Sequence, residues 1–334
     1  MLAKFILKRV VMMIPLLFAI TVIVFAVIQL PPGDFLTTLI RQREMGGSVM
    51  DMVEIEALRL EFGLDRPAYM QYLIWVRNIV MHGSLGRSFS WERPVTEIIA
   101  SRLGATVAIS LLTLVFVWAF SIPVGIYSAT HQYSKGDYFF TFLGFIGQAT
   151  PGFLIALLLI FAVFTTTGVA VSGLYAQEFI SQPWSLAKVI NMMPRLLVVI
   201  VIIGLSSTAG MIRTMRAMML DELGKQYVVT ARAKGVEERK LIYKYPVRMA
   251  INPMASGIGS TLGGLVSGET IVSIVLNMPT VGPLMFQALL VQDMFLAGGF
   301  LLVISIFIVI GTLLSDILLS VLDPRIRFGG AVGS

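Results

Sequence analysis

Six apolar runs alternate with polar stretches of very unequal length. The first, residues 10–30, is about 20 residues long, enough to cross a bilayer core. Lys4, Lys8 and Arg9 precede it, as in a signal peptide, but Pro31-Pro32-Gly33-Asp34 follows in place of a small-residue cleavage site. The expectation is an uncleaved first span with its N-terminus in the cytoplasm. Residues 34–102 form the longest polar stretch, with a helical pattern at 50–62, a turn at Gly63-Leu64-Asp65-Arg66-Pro67 and an amphipathic helix at 69–81. Tyr72, Trp75, Val76 and Ile79 recur there at helix spacing, and Tyr69, Trp75 and Trp91 suit a membrane interface. A solvated loop folded over the spans and a docking surface for an external partner both fit this stretch.

The second span is expected at 105–129 and a short turn at 131–137. The third, 138–167, is interrupted by Gly144, Gly147, Pro151 and Gly152, and such breaks survive in membranes only where neighbours or a cavity satisfy the backbone. An outer loop at 168–193 carries Trp184 and leads to the fourth span, 194–212. The fifth, 254–276, is the least apolar. Its Ser256, Ser260, Gly264 and Gly268 form a small-residue stripe at four-residue spacing, which lets a helix approach closely. Glu269 follows the stripe. An acid at that position marks a solute pathway or gate or a buried pair, or else is bonded to backbone near the outer interface. After a loop at 277–296 the sixth span runs over 297–322, and the tail brings Arg325 and Arg327.

Between the fourth and fifth spans lies a polar island of about forty residues. Residues 213–248 carry nine Lys/Arg against four Asp/Glu. Tyr227 to Ala233 has the Ala-rich composition of a helix former, and Gly235 sits where a left-handed turn would end it. A second helix is expected from about Glu237, with acids in its first turn. Helix, glycine elbow and helix on the face of a membrane protein make a docking shape.

Composition agrees with the pattern. The chain is 57% hydrophobic and 13% charged, far from the soluble average of about 25% charged. It is an all-α polytopic membrane protein with six transmembrane helices and both termini cytoplasmic. The domains expected are a cytoplasmic N-terminus with the first span (1–30), an extracytoplasmic loop with helices (31–102), a five-span core containing the 213–253 loop (103–322), and a cytoplasmic tail (323–334). The net charge of +6 follows from the positive-inside rule, not from nucleic-acid binding: 15 of the 25 Lys/Arg fall on the inner segments. With no cysteine and only two distant histidines, His82 and His131, neither a disulfide framework nor a His/Cys metal site is expected. No phosphate-binding loop, zincin motif or nucleophile elbow occurs, so no catalytic residue, cofactor site or metal site is expected on this chain.

The stretch YVVTARAKGVEERKLIYKYPVRMAINP, Tyr227 to Pro253, resembles the cytoplasmic coupling loop of bacterial ABC-importer permeases, in the form found in the dipeptide/oligopeptide family. Thr230, Ala231, Arg232, Ala233, Lys234 and Gly235 match that form, as do Arg248 and Pro253. Pro32-Gly33-Asp34, Gly63–Pro67, Gly83-Ser84-Leu85-Gly86-Arg87-Ser88, Glu269 and the closing Asp323-Pro324-Arg325-Ile326-Arg327 resemble further family motifs, so the likeness covers nearly the whole chain. It points to the first of the two permease subunits. Three departures stand out: Val229 replaces the acid of the original motif, Phe35 replaces a proline, and Pro246 falls where the second coupling helix should continue. A proline inside a helix costs on the order of 3 kcal/mol unless it starts a new turn.

The resemblance implies a type I ABC-importer permease fold in the bacterial or archaeal cytoplasmic (inner) membrane. It implies a heterodimer with a second permease subunit, two cytoplasmic ATPase subunits that hydrolyse ATP-Mg, and an extracytoplasmic solute-binding protein, with no nucleic acid. The ATPase-coupling residues would be Tyr227, Thr230, Ala231, Arg232, Ala233, Lys234, Gly235 and Arg248, with Ala231, Ala233 and Gly235 allowing close approach and Arg232 and Lys234 pairing with acids of the partner. The solute implied is a di- or oligopeptide, with oligosaccharides or nickel as alternatives. Two other classes are a stand-alone channel or ion-coupled carrier, which would show repeats and mid-membrane charges, and a scaffold without transport. Neighbouring genes for an ATPase, a second permease and a secreted binding protein would separate all three.

Overall fold

The structure, a computed structural model, describes residues 2–30, 35–46, 51–61, 65–168 and 172–322. The Pro31–Asp34 motif, Gly63, Leu64 and the Asp323–Arg327 motif lie outside the described residues. In chain order the helices are α1 (Leu2–Gln29), α2 (Phe35–Met45), α3 (Met52–Glu61), α4 (Ala68–His82), α5 (Val95–Thr130), α6 (Lys135–Ala149), α7 (Gly152–Thr167), α8 (Leu186–Leu223), α9 (Gln226–Ala233), α10 (Glu238–Lys244), α11 (Pro246–Ala250), α12 (Asn252–Ser256), α13 (Ile258–Val275), α14 (Val281–Leu290) and α15 (Met294–Leu322). Among the described residues the only extended pairing is one antiparallel bridge, Arg87 with Pro94. Among the described residues five helices are long and apolar enough to cross a membrane; α6 and α7, bent by 99° at their break, count as a sixth when the pair is taken as one broken span.

Several elements outrun their apolar runs. The fourth span was expected over 194–212, yet α8 occupies 38 residues. Its polar C-terminal part stays helical because Met215 and Met219, both 0% exposed, pack with Ile126, Ala129, Val247, Ala250 and Met254. The second span begins ten residues early because Val95, Ile98 and Ile99 are buried. The fifth begins later, at Ile258, after the separate short helix α12. Helices α2 and α14 were not foreseen.

The chain divides into two compact units. One consists of residues 105–279 with the described parts of 1–10 and 307–334. Here α6 packs antiparallel on α8: Asp137 pairs with Arg216, Gly144 lies against Ala209 and Gly147 against Leu205. Residues of α8 such as Val199, Ile202 and Ile203 share a core with Ala156 of α7, with Leu265 and Val272 of α13 and with Leu276 just after it. Along α13, Gly259 and Gly263 admit Thr312 and Ile308 of α15; a Cβ on Gly259 would stand 2.8 Å from the Thr312 nitrogen. Near the N-terminus, Arg9 pairs with Asp316 at 3.3 Å.

The other unit consists of residues 11–104 and 280–306. Trp75 of α4 is buried with Val24 and Leu302, and its indole nitrogen donates to the Leu85 carbonyl at 3.2 Å. Asp293, fully buried, accepts from the Ser88 hydroxyl (2.5 Å), from the Ser90 backbone (3.0 Å) and hydroxyl (2.8 Å), and from the Leu296 backbone (3.1 Å). That one carboxylate caps α15 and pins the loop that carries the Gly83–Ser88 motif.

Candidate functional site

The polar island folds as the short helices α9, α10 and α11; the first two share a small core of their own, while α11 packs on α5 and α8. Val228 and Leu241, both 0% exposed, and Ala231 are buried, with Val236, Ile242 and Tyr245 packed at the edges. Helices of eight and seven residues do not hold their shape alone in water, so this cluster is what fixes their relative pose. The elbow between them is a Schellman turn: Gly235 has φ +76°, its N–H donates to the Arg232 carbonyl, and the Val236 N–H reaches the Ala231 carbonyl. A Cβ on Gly235 would meet nothing within 4 Å, so backbone conformation alone selects glycine there.

Pro246 does not interrupt α10. It stands at the first position of α11, where the missing N–H is harmless, after Tyr245 has ended α10. The second helix of the island, α10, is correspondingly short.

Ion pairs fasten the loop at its start and across the elbow. Lys225 reaches Asp221 (3.2 Å) and Glu222 (2.6 Å), and the Tyr227 hydroxyl bonds to Glu222. Burial and then that carboxylate push the Tyr227 hydroxyl up to about 12. Arg232 holds Glu238 through two bonds, 2.6 and 3.0 Å, and this guanidinium keeps the Glu238 carboxyl below its usual range.

The residues expected to couple therefore divide. Thr230, Ala233, Lys234 and Gly235 are exposed on the outside of the elbow, with Tyr227 half-exposed at its base. Ala231 instead faces the internal cluster, and Arg232, although exposed, already has its acid within the chain. Arg248 donates from Nε to the Leu322 carbonyl at 3.2 Å, tying α11 to the last turn of α15.

Along α12 and α13 the two candidate features face opposite ways. Ser256, Ser260, Gly264 and Gly268 are exposed, and a Cβ on Gly264 or Gly268 would meet nothing within 4 Å. The close helix approach inside this chain uses the other glycines, Gly259 and Gly263. Glu269 is 2% exposed, shares the buried face with Leu265 and Val272, and accepts from the Ser273 hydroxyl at 3.2 Å.

Comparison with known proteins gives the arrangement its context. The family described as the binding-protein-dependent transport system inner membrane component matches residues 121–328, and its N-terminal companion matches residues 1–110. The chain belongs to this family. It is an ABC-transporter permease, a multi-pass protein of the inner membrane. The permease is 31% identical to the oligopeptide transport system permease protein AppB of Bacillus subtilis, over 98% of this chain and 100% of that one. It is 33% identical to a putative peptide permease protein of Brucella ovis (97% and 99% covered) and 30% identical to the dipeptide transport system permease protein DppB of Escherichia coli (97% and 98%).

Sequence reasoning missed two features of the permease. One is the Asp293 hub, whose donors lie about 200 residues away in sequence. The other is the pairing of Arg213 with Gln148 at the break between α6 and α7. The glycines and proline that mark the break were the only local signal for the second.

Proposed function

We propose that this permease forms half of the translocation pathway of an ATP-driven importer of di- and oligopeptides. A second permease subunit completes the pathway as a heterodimer, two cytoplasmic ATPase subunits dock beneath it, and an extracytoplasmic binding protein delivers the solute. The observation that carries the reading is the α9–α10 elbow: a pair of short helices with its own buried cluster, offering Thr230, Ala233, Lys234 and Gly235 to the outside. A body of that kind transmits a push from a docked ATPase without unfolding, and a rigid-body shift then tilts the spans attached to it. The peptide assignment draws on the names of the relatives. ATP-Mg binds and is hydrolysed on the partner subunits, and this chain carries no cofactor.

The exposed stripe of Ser256, Ser260, Gly264 and Gly268 suits close packing against the second permease. Glu269, turned to the opposite face, acts as a gate element through the seating of α13 against its neighbours. Glu269→Gln with unchanged uptake removes it from the mechanism.

The test is co-purification from native membranes, with mass identification of the partners and ATPase assays on the assembly. Two ATPase subunits, a second permease, stimulation by a liganded binding protein and a peptide as its ligand are expected. Recovery of this chain alone, or only with copies of itself, overturns the importer reading; a sugar or nickel as the ligand overturns the peptide assignment.

A further inference from the structure

The break between α6 and α7 carries a cation in an unusual posture. Along the antiparallel pair, Asp137 of α6 meets Arg216 of α8 at the cytoplasmic turn. Arg213 lies one helical turn further in, about 4.5 Å along the axis. Its guanidinium nevertheless donates to the Gln148 amide oxygen and lies 5.4 Å from the centre of the Phe145 ring. Gln148 is eleven residues up α6 from Asp137, about 16 Å. The Arg213 side chain therefore runs away from the cytoplasmic face, toward the middle of the membrane.

An arginine near the end of a lipid-facing helix does the reverse, extending its charge to the interface. A charge directed inward is sustained where the surroundings are wet or polar. The backbone gives independent support. At the break, Ala149 and Pro151 are exposed and Thr150 is half-buried, with a 99° change of direction. Irregular backbone at membrane depth is tolerated only where it is buried in protein or lines a water-filled cavity. These residues are not buried in this chain.

We infer that the α6–α7 elbow lines the aqueous part of the translocation route, and that Arg213, braced by Gln148 and Phe145, is the fixed cation that receives the carboxylate of a passing solute. This rests on the reading of the chain as half of a solute pathway. A guanidinium offers a planar fork matched to a carboxylate, and Gln148 holds it without neutralising it. Every peptide with a free C-terminus carries such a group.

The permease has no cysteine, so single cysteines report without background from this chain. In the assembled complex, Gln148→Cys is expected to react with a charged, membrane-impermeant methanethiosulfonate at least tenfold faster than Phe18→Cys, an exposed apolar position of the first span. Uptake of radiolabelled trialanine, normalised to assembled complex, is expected to fall about tenfold in Arg213→Gln and to be partly restored in Arg213→Lys, which keeps the charge without the fork. Equal labelling of the two cysteines overturns the hydrated elbow, and wild-type uptake by Arg213→Gln overturns the carboxylate role. A wild-type assembly that takes up no trialanine refutes the peptide reading instead, while the labelling comparison still decides whether the elbow is wet.

Discussion

Leu241→Ala probes the α9–α10 elbow where it is weakest. The cluster that joins α9 to α10 has only three buried members, Val228, Ala231 and Leu241, and Leu241 is the largest of them. Truncating a buried leucine removes its transfer energy and leaves a cavity, about 2–5 kcal/mol in well-packed cores. Here the cavity lies at the edge of the protein and partly collapses, so about 2–3 kcal/mol is expected. That corresponds to roughly a 30- to 150-fold shift toward the loosened loop. Hydrogen exchange resolves it. Amides of 226–245 should exchange faster by about that factor, while those of the α8 core around Val199–Ile203 keep their protection. Stimulated ATPase activity should then yield less solute per ATP. Leu241→Met, which conserves volume, should cost under about 1.5 kcal/mol and leave both readouts near wild type. Unchanged loop exchange in Leu241→Ala would mean that the cluster does not set the pose of the two helices, and the reasoning fails.

Three further outcomes follow from the geometry. At Gly235, where φ is +76° and space is open, uptake should fall in the order Asn, Ala, Val, because the cost is conformational and not steric; a loss that tracks side-chain volume instead would contradict this. Asp293→Ala removes a helix cap and several bonds to a charge, about 3 kcal/mol or more, and should lower the thermal midpoint in detergent and open 83–94 to protease, with Asp293→Asn milder; equal midpoints refute the hub. The folded Glu238 carboxyl is depressed, so its contribution is present above the ordinary carboxylate range and lost as pH falls through the folded value. Tyr227 is raised, so its contribution is complete below about 10 and lost as pH rises through about 12. Loop exchange protection should therefore be flat between roughly pH 5 and 10 and decline on either side; a slope within that window would show other groups in control.

Much of the architecture was legible in the chain. Apolar runs located the crossings, and the Ala-rich run ending at Gly235 gave the elbow, because both signals are local. Long-range packing was not legible. Arg213 to Leu223 reads as loop by polarity, yet Met215 and Met219 face a core built from α5, α11 and α12, which extends α8 by three turns. On α13, small residues occupy both faces. Ala255, Gly259, Gly263 and Ser267 repeat at the same four-residue spacing as the exposed stripe, so spacing alone does not show which face another helix enters. Pro246 left two outcomes open in the sequence, a broken helix or a new turn, and the structure shows the second, with α10 ended at Tyr245 and α11 begun at Pro246.

The uninterrupted length of α8 has a mechanical consequence. Its 38 residues make a helix of about 57 Å, continuous through Pro194, where one ladder hydrogen bond is missing. At one end Lys188 is clamped by the Gln182 carbonyl at 2.6 Å and the faces of Tyr175 and Trp184. At the other, Glu222 is latched to Lys225 and Tyr227 at the foot of the elbow. Such a helix is a lever with a handle at each end: tilting it by about 5° displaces one end by about 5 Å relative to the other. A small stroke beneath the membrane thus reaches the opposite face directly, with no relay of side chains between.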